Sequence, residues 1–180
     1  MSILITTSHK PSPRTRTFIK ELAATLPYAV KTNRGKKTLD DLGLKAYRVG
    51  AKYIAVVGER RGNPSIMRIY KLDLSEKWPK TKEIVVFKIK GIKLLRENPL
   101  GARVYNPESI GVDYDLCKSD ECYNLANTLL AVFNDIIDKD PDVKIYLSER
   151  SSIIQFKPVD RLGRICGPLI KFRGVKVIEK

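Results

Sequence analysis

Basic side chains cluster near the start of the chain, where the pattern predicts the beginning of a helix. Residues 3–5 are an apolar, mostly β-branched run that predicts a buried strand, and a polar loop follows it. Ser12 is a favourable N-cap, and Pro13 suits the first helical position. The unpaired N–H groups of a first helical turn favour an anion, and the basic residues beside them are Lys10, Arg14 and Arg16. This stretch, from Ser8 to Arg16, therefore predicts a phosphate-binding site.

A solvated helix end in a basic protein is the alternative interpretation of the same stretch. Arginine in a first helical turn opposes the helix dipole, and a bound anion would relieve that opposition. We therefore expect replacement of Arg14 and Arg16 to weaken anion binding and to leave thermal stability almost unchanged. Phe18, Leu22 and Leu26 recur every four residues and predict the apolar face of the helix.

Further basic residues lie in turns beside predicted strands. Residues 28–33 predict a second strand that runs into a basic turn containing Arg34, Lys36 and Lys37. The turn signal between residues 53–57 and 65–74 predicts a β-hairpin with Arg60 and Arg61 at its tip. Residues 83–95 alternate apolar residues with lysines, which predicts a long strand with one buried and one lysine-lined face. A face that is merely solvated is the alternative.

The order of the predicted elements indicates an α/β fold with a mixed sheet. Strand, helix, strand, helix and strand patterns follow one another up to residue 57. Thr38 is the predicted N-cap of the second helix, and Gly50 is its predicted stop. Later in the chain, a helix is predicted at residues 122–137 and strands at residues 143–147, 153–158 and 169–178. Residues 53–60 and 145–150 both lead through Glu-Arg into a Ser-Ile strand, which indicates an internal repeat or a coincidence.

The charge of the chain is high and unevenly distributed. Its 34 Lys and Arg residues and 20 Asp and Glu residues give a formal net charge of +14. Residues 1–62 contain 13 basic and 4 acidic residues, a net of +9, whereas residues 105–149 contain 3 basic and 10 acidic residues, a net of −7. Such segregation is typical of a nucleic-acid binder with one basic face and an acidic back.

The sequence lacks the motifs that common catalytic sites require. There is no Walker-type phosphate loop and no Gly-x-Gly-x-x-Gly after a strand. His9 is the single histidine, so any Ser-His-Asp or Cys-His arrangement would depend on it alone. We therefore predict no catalytic residues and no cofactor.

The cysteines and the hydropathy pattern predict a reduced cytoplasmic protein. Cys117, Cys122 and Cys166 have no common zinc-site spacing, so we expect thiols that bind no metal and form no required disulfide. No apolar run approaches the ~20 residues that span a bilayer. The first residues also lack the apolar segment of a signal peptide, so we expect no membrane partner.

Several segments resemble the Brix-domain family. The longest is Thr-Thr-Ser-His-Lys-Pro-Ser-Pro-Arg-Thr-Arg-Thr-Phe at residues 6–18, and the others are Arg34-Gly35-Lys36-Lys37, Val56-Val57-Gly58-Glu59, Gly62-Asn63-Pro64 and Gly167-Pro168-Leu169-Ile170-Lys171-Phe172. The resemblance spans nearly the whole chain. Within the family, the sequence most resembles the short archaeal members that are related to the small-subunit processome protein. His9 and Leu169 depart from the family pattern, and each departure removes a potential RNA contact.

The resemblance implies both a fold and a function. The fold would be a single Brix domain over residues 1–180, with two similar α/β halves of about 1–98 and 99–180 and mixed sheets. The first half would resemble the anticodon-binding domain of class IIa aminoacyl-tRNA synthetases. The function would be that of a non-catalytic RNA-binding factor in pre-rRNA processing and ribosomal subunit assembly. A permanent ribosomal protein is the first alternative, and an RNA-modifying enzyme is the second.

Under this hypothesis the partners are ribosomal RNA or its precursor and other ribosome assembly proteins, and a guide RNA is a further candidate. The predicted RNA-binding residues are Ser8, Lys10, Arg14, Arg16, Arg34, Lys36, Lys37, Arg60 and Arg61. A second candidate surface comprises Arg164, Lys171 and Arg173.

Overall fold

The computed structural model describes residues 2–178 as one nine-stranded mixed sheet with helices on both faces. Residues 1, 179 and 180, which the predicted domain includes, lie outside the described range. The strands are β1 (Ile3–Thr7), β2 (Val30–Lys31), β3 (Tyr53–Arg60), β4 (Asn63–Asp73), β5 (Lys80–Lys93), β6 (Ile110–Asp113), β7 (Val143–Ser148), β8 (Ile153–Pro158) and β9 (Leu169–Val177). The helices are α1 (Pro13–Thr25), α2 (Leu39–Arg48) and α3 (Asp120–Val132), with 3-10 turns at Leu95–Glu97 and Asn134–Ile136.

The strand order is β2-β1-β3-β4-β5-β9-β8-β7-β6. β1 is parallel to β2 and to β3, while β3, β4 and β5 are successively antiparallel. The second part of the sheet has the same pattern, because β6 is parallel to β7 and β7, β8 and β9 are successively antiparallel. An antiparallel pair, β5 and β9, joins the two parts. The α/β fold with a mixed sheet is confirmed.

The repeated strand pattern supports the proposed division into two halves, which stays a prediction. Residue 98 falls between β5 and β6, so it separates the two sets of strands. The likeness of the first half to a synthetase anticodon-binding domain also stays a prediction.

Two hydrophobic cores lie on opposite faces of the sheet. The larger core packs α1 and α3 against one face, with Phe18 and Leu125 among its fully buried side chains. The smaller core packs Leu42 and Ala46 of α2 against Leu4 and Ile54 on the other face. α2 covers this second face only in the first half. In the second half this face of the sheet is formed by β7, β8 and β9, and no helix within residues 2–178 packs on it.

Local sequence signals gave the elements of the first half with small errors at their ends. The hairpin between β3 and β4 has Arg61 and Gly62 at its tip, with φ of 51° and 76°, as a two-residue turn of type I′ requires. Val85, Phe87 and Ile89 of β5 are buried, whereas Lys88, Lys90 and Lys93 are exposed. The alternating pattern of this strand is confirmed. β2 is only two residues long, much shorter than the predicted 28–33.

The second half differs more from the sequence prediction. The strand β6 was not predicted, because four residues are too few to establish an alternating pattern. The predicted helix at 122–137 instead begins after Ser119, whose hydroxyl accepts a hydrogen bond from the Cys122 N–H, and ends at Val132. A 3-10 turn then follows at Asn134–Ile136.

The expectation of three reduced thiols is wrong for one pair of cysteines. Cys117 and Cys122 form a disulfide beside the first turn of α3, where their Cα atoms lie 5.4 Å apart, within the usual range for a bridge. The turn before the helix brings together two residues that are five positions apart. Cys166 remains a thiol, and its burial raises its pKa to about 12.

Residues 2–178 contain neither a metal-binding cluster nor a helix that could span a membrane. Among residues 2–178, no group of three or more His, Cys, Asp or Glu side chains is placed to hold a metal ion. None of the helices in that range is both long enough and apolar enough to cross a membrane.

Candidate nucleic-acid interface

Three basic loops meet at one edge of the sheet. Because β1, β2 and β3 are parallel, their carboxyl ends lie at the same edge, and each is followed by a loop with basic side chains. We call this surface the basic edge and define it by Ser8, Lys10, Arg34, Lys36, Lys37, Arg60 and Arg61. Lys10, Lys36, Arg60 and Arg61 are exposed, whereas Arg34 and Lys37 are half-buried.

Hydrogen bonds hold the first two loops of the basic edge together. His9 Nδ1 lies 2.9 Å from the Gly35 carbonyl oxygen. The Arg34 guanidinium donates to the carbonyl of Lys37 at 2.7 Å and to that of Thr7 at 3.4 Å. The structure therefore brings the loop of Lys10 and the loop of Lys36 side by side, although roughly 25 residues separate them in sequence.

The tip of the β3–β4 hairpin lies against the first turn of α1. The Ser12 hydroxyl donates to the Gly62 carbonyl at 2.9 Å, and the Ser8 N–H donates to the Val57 carbonyl at 2.9 Å. These bonds place the arginines of the hairpin tip at the same edge as the other two loops.

An internal carboxylate already occupies the predicted phosphate position at the start of α1. Glu59 accepts hydrogen bonds from the Ser12 N–H at 2.9 Å and from the Thr15 hydroxyl at 2.5 Å. Burial by itself would raise the pKa of Glu59, but the hydrogen bonds from Thr15 and Ser12 outweigh it and lower that pKa. The helix N-terminus attracts an anion as expected, and the anion is supplied by β3.

Arg14 also has hydrogen-bond partners within the protein. Its guanidinium makes two hydrogen bonds to the Glu97 carboxylate, at 2.5 and 3.1 Å, and a third to the Ile92 carbonyl at 3.1 Å. The hydrogen bonds from Arg14 and from the Leu94 N–H lower the pKa of Glu97 from its ordinary value of 4.5 to about 2. Arg14 thus ties α1 to the segment after β5, and its role as a phosphate ligand stays a prediction.

Arg16 lies on the exposed side of the first helical turn. Its guanidinium donates to the Pro11 carbonyl at 3.1 and 3.3 Å, which fixes the stem of the side chain against the loop. Arg16 also contributes to the low pKa of Glu59 through its positive charge. It therefore balances the internal carboxylate at the margin of the basic edge.

The residues of the second candidate surface lie on β9 and in the loop before it. Lys171 and Arg173 are exposed on β9, whereas Arg164 lies in the loop that precedes the strand. The Gly-Pro motif between them serves packing, because a Cβ on Gly167 would lie 2.9 Å from Phe156 Cδ2 and 2.9 Å from Thr25 Oγ1. The Thr25 hydroxyl also donates to the Cys166 carbonyl at 3.2 Å, so this motif joins α1 to the second half.

Sequence reasoning missed three polar residues that share the face of Lys171 and Arg173. They are Lys144, Tyr146 and Lys157, on β7 and β8. Their signal is the strict alternation with buried Val143, Ile145 and Leu147, which forces the intervening side chains to the opposite face. That this face lacks a covering helix is decided by the tertiary structure alone.

Comparison with curated proteins finds archaeal relatives. A probable Brix domain-containing ribosomal biogenesis protein of Aeropyrum pernix is 45% identical over 97 residues, which are 54% of this chain and 52% of the relative. A protein of the same description from Sulfurisphaera tokodaii is 27% identical over 173 residues, which are 96% of this chain and 92% of the relative. Matches to relatives from Pyrobaculum aerophilum and Thermococcus kodakarensis cover 62% and 44% of those proteins, so this chain spans about half the length of several curated relatives. No protein-family model matches the chain.

Solved structures show the same architecture. The crystal structure of a probable ribosomal biogenesis protein from Aeropyrum pernix K1 is similar with a TM-score of 0.78 and 30% identity, over 97% of this chain and 98% of that one. Mil, an archaeal Imp4-like protein, is similar in fold, with a TM-score of 0.63 and 24% identity over 97% of this chain and 99% of that one. The fold thus defines an α/β protein of the same class as these two. The chain belongs to the Brix-domain family of ribosomal biogenesis proteins, as the segments at residues 6–18 and 167–172 predicted.

Proposed function

We propose that the chain is an RNA-binding ribosome biogenesis factor that acts in pre-rRNA processing and subunit assembly without chemistry of its own. The observation that carries this proposal is the basic edge, where three loops separated in sequence present exposed lysines and arginines together. The descriptions of the archaeal relatives as ribosomal biogenesis proteins support the cellular role. We place the activity in the cytoplasm, with ribosomal RNA or its precursor and other assembly proteins as partners.

Within the basic edge, the exposed residues are the best candidates for contacts with phosphate. Lys10, Lys36, Arg60 and Arg61 can reach a ligand without losing a hydrogen bond described above. Arg34 and Lys37 are half-buried, and their cationic groups donate to backbone carbonyls, so they hold the loops in place. Contacts between these residues and RNA phosphates would contribute affinity and fix the position of the RNA, but they would not distinguish one base sequence from another.

The salt dependence of RNA affinity tests this proposal. We expect fluorescence anisotropy with a labelled single-stranded rRNA fragment to give a plot of log K against log salt with a slope of about −4 to −6, since roughly 5–8 phosphates would be neutralised. Replacing both Lys36 and Arg60 with alanine should make the slope shallower by about 1.4, or about 0.7 for each lost contact. Lys139→Ala is the control, because Lys139 is also exposed but lies in the acidic segment.

A slope near zero, or equal effects of the double variant and the control, would refute binding at the basic edge.

Co-sedimentation with ribosomal particles separates an assembly factor from a permanent ribosomal protein. A factor should accompany precursor particles and be absent from mature subunits. Mass analysis of rRNA nucleosides after incubation with the protein and common cofactors should reveal no modification.

A further inference from the structure

We propose that the uncovered sheet face of the second half is a separate surface for single-stranded RNA, on which Tyr146 stacks a nucleobase. This inference rests on the proposed RNA-binding function, and it names a second site away from the basic edge. We call the surface the open face. It comprises the outward side chains of β7, β8 and β9 and of residues 88–93 of β5.

The open face exists because the two halves cover this side of the sheet differently. In the first half, α2 buries Leu4 and Ile54 on this side. In the second half, α3 packs on the opposite side together with α1, so no helix covers the outward residues of β7 and β8, which are half-buried within the sheet. Four adjacent strands, β5, β9, β8 and β7, therefore present an uncovered strip roughly 14 Å wide, since neighbouring strands lie about 4.8 Å apart.

Tyr146 lies among lysines and a glutamine on this strip. The strand register places Tyr146 opposite Gln155 and Lys144 opposite Lys157. The Lys157 ammonium lies 4.1 Å from the centre of the Tyr146 ring, and the Lys144 ammonium lies 5.9 Å from it. Stacking of a base on an aromatic ring is stronger than an exposed cation–π contact, so a nucleobase can displace the ammonium of Lys157. The displaced lysine is then close to the adjoining phosphate.

Two glycines leave bare backbone at the junction of β5 and β9. A Cβ on Gly91 or on Gly174 would meet no atom within 4 Å, and neither glycine has a left-handed backbone. Packing and backbone conformation therefore do not require glycine at either position. Lys171 is the cross-strand partner of Gly91, and Lys88 is the partner of Gly174. The result is a stretch of bare backbone bordered by cations, beside two irregularities in the β5–β9 register, which leaves room for a base or a ribose against the sheet.

The charge of the open face favours a polyanion. Its basic residues are Lys88, Lys90, Lys93, Lys144, Lys157, Lys171, Arg173 and Lys176. Among the described residues of β6, β7, β8 and β9 and of residues 88–93 of β5, Asp113 is the one carboxylate on this face, opposite Tyr146 in the register. An acidic peptide would also satisfy this charge, but an aromatic ring between lysines and bare glycine backbone favour nucleobases. Exposed sheets with aromatic side chains are an established way of binding single-stranded RNA.

Binding of a labelled oligouridine and of an abasic oligonucleotide of the same length tests the inference. Tyr146→Leu should weaken binding of oligouridine by roughly 5- to 150-fold, the range expected for loss of one stacked base. Binding of the abasic oligonucleotide should stay within about twofold of wild type, because it has phosphates but no base to stack. Tyr123→Leu is the matched control, since Tyr123 is 43% exposed on α3 in the acidic segment, and it should leave both affinities unchanged.

Gly91→Val is the second variant. A valine side chain would enter open space on a strand, so the melting temperature should not fall, while binding of oligouridine should weaken. Unchanged oligouridine affinity in both variants would overturn the inference while leaving the proposed function intact. Equal loss for the abasic oligonucleotide, or equal competition by polyglutamate, would also overturn it. Failure of the wild-type protein to bind either oligonucleotide would instead refute the proposed function itself.

Discussion

Glu59 and Glu149 perform the same task in the two halves of the sheet. Glu59, at the end of β3, accepts a hydrogen bond from the N–H of Ser12, the N-cap of α1. Glu149, just after β7, accepts one at 3.0 Å from the N–H of Ser119, the N-cap of α3. Each glutamate is followed by arginine and lies close to the turn of a β-hairpin. This correspondence supports an internal repeat over a coincidence.

The third helical residue shows how the halves diverged chemically. In α1 it is Thr15, whose hydroxyl donates to the Glu59 carboxylate. In α3 it is Cys122, which is bonded to Cys117 instead. A covalent link in the second half therefore stands where the first half has a hydrogen bond.

The Glu59 carboxylate should contribute measurably to folding. We expect Glu59→Gln to lower the free energy of unfolding at pH 7 by about 1–3 kcal/mol, because charge-assisted hydrogen bonds at an N-cap are lost. The folded-state pKa of Glu59 is lowered, so its contribution is present above the unfolded-state pKa and is lost as the pH falls. Urea denaturation at pH 7 and at pH 3 should show a smaller pH effect in the variant. Glu108→Gln, at an exposed position, is the control, and equal behaviour of the two variants would contradict this role.

The ion pair between Arg14 and Glu97 should make the free energy of unfolding depend on pH in the acidic range. The pKa of Glu97 falls from 4.5 to about 2 in the folded protein, so the pair stabilises the fold above pH 4.5 and loses this effect as the pH falls towards 2. Glu97→Gln should therefore reduce the loss of melting temperature across this pH range. Arg14→Ala should lower stability at pH 7 by about 1 kcal/mol, a value reduced for solvent screening because both side chains are partly exposed.

Thermal melts of Arg14→Ala and of Arg16→Ala compare the two arginines directly. Arg16 contacts only its own loop among the hydrogen bonds described above, so its variant should melt near the wild-type temperature. An Arg14 variant as stable as wild type with weakened RNA binding would show that Arg14 acts as a phosphate ligand and contributes little to stability.

The disulfide should be detectable by thiol counting. Denatured protein without reductant should give one reactive thiol, from Cys166, and reduced protein should give three. Replacing both Cys117 and Cys122 with serine should lower the free energy of unfolding by about 2 kcal/mol, as expected for opening such a short loop. Three reactive thiols in the untreated protein would contradict the bridge. A variant as stable as wild type would show that folding does not require it.

The Gly-Pro motif before β9 should tolerate no side chain at Gly167. Gly167→Ala would place a Cβ at 2.9 Å from atoms of Phe156 and Thr25, so we expect a loss of roughly 1–3 kcal/mol in the free energy of unfolding. Gly174→Ala is the matched control, because Gly174 lies seven residues later, within β9, and its Cβ would meet no atom within 4 Å. Chemical denaturation of both variants provides the measurement, and equal stabilities would show that the packing at Gly167 is not tight.

Local sequence determined the elements whose causes are local. Ser12 and Pro13 begin α1, the Thr38 side chain and Asp41 form a capping box for α2, and Arg61-Gly62 forms the hairpin turn. Each of these depends on hydrogen bonds or backbone preferences within about four residues, which a sequence pattern records directly. The basic character of the three loops was likewise legible from residue types alone.

The tertiary structure decided which of these residues are available to a ligand. Glu59 binds Ser12 although they are 47 positions apart in sequence, and Glu97 binds Arg14 although they are 83 positions apart. Carboxylates of the protein itself therefore already bind the helix N-terminus that the sequence suggested was free for a phosphate. The open face likewise results from the placement of α2 and α3, which strand alternation cannot foretell. A sequence records the chemistry of each side chain and its near neighbours. Which residues distant in sequence bind that side chain, and whether it is exposed, is determined only when the strands assemble in their final order.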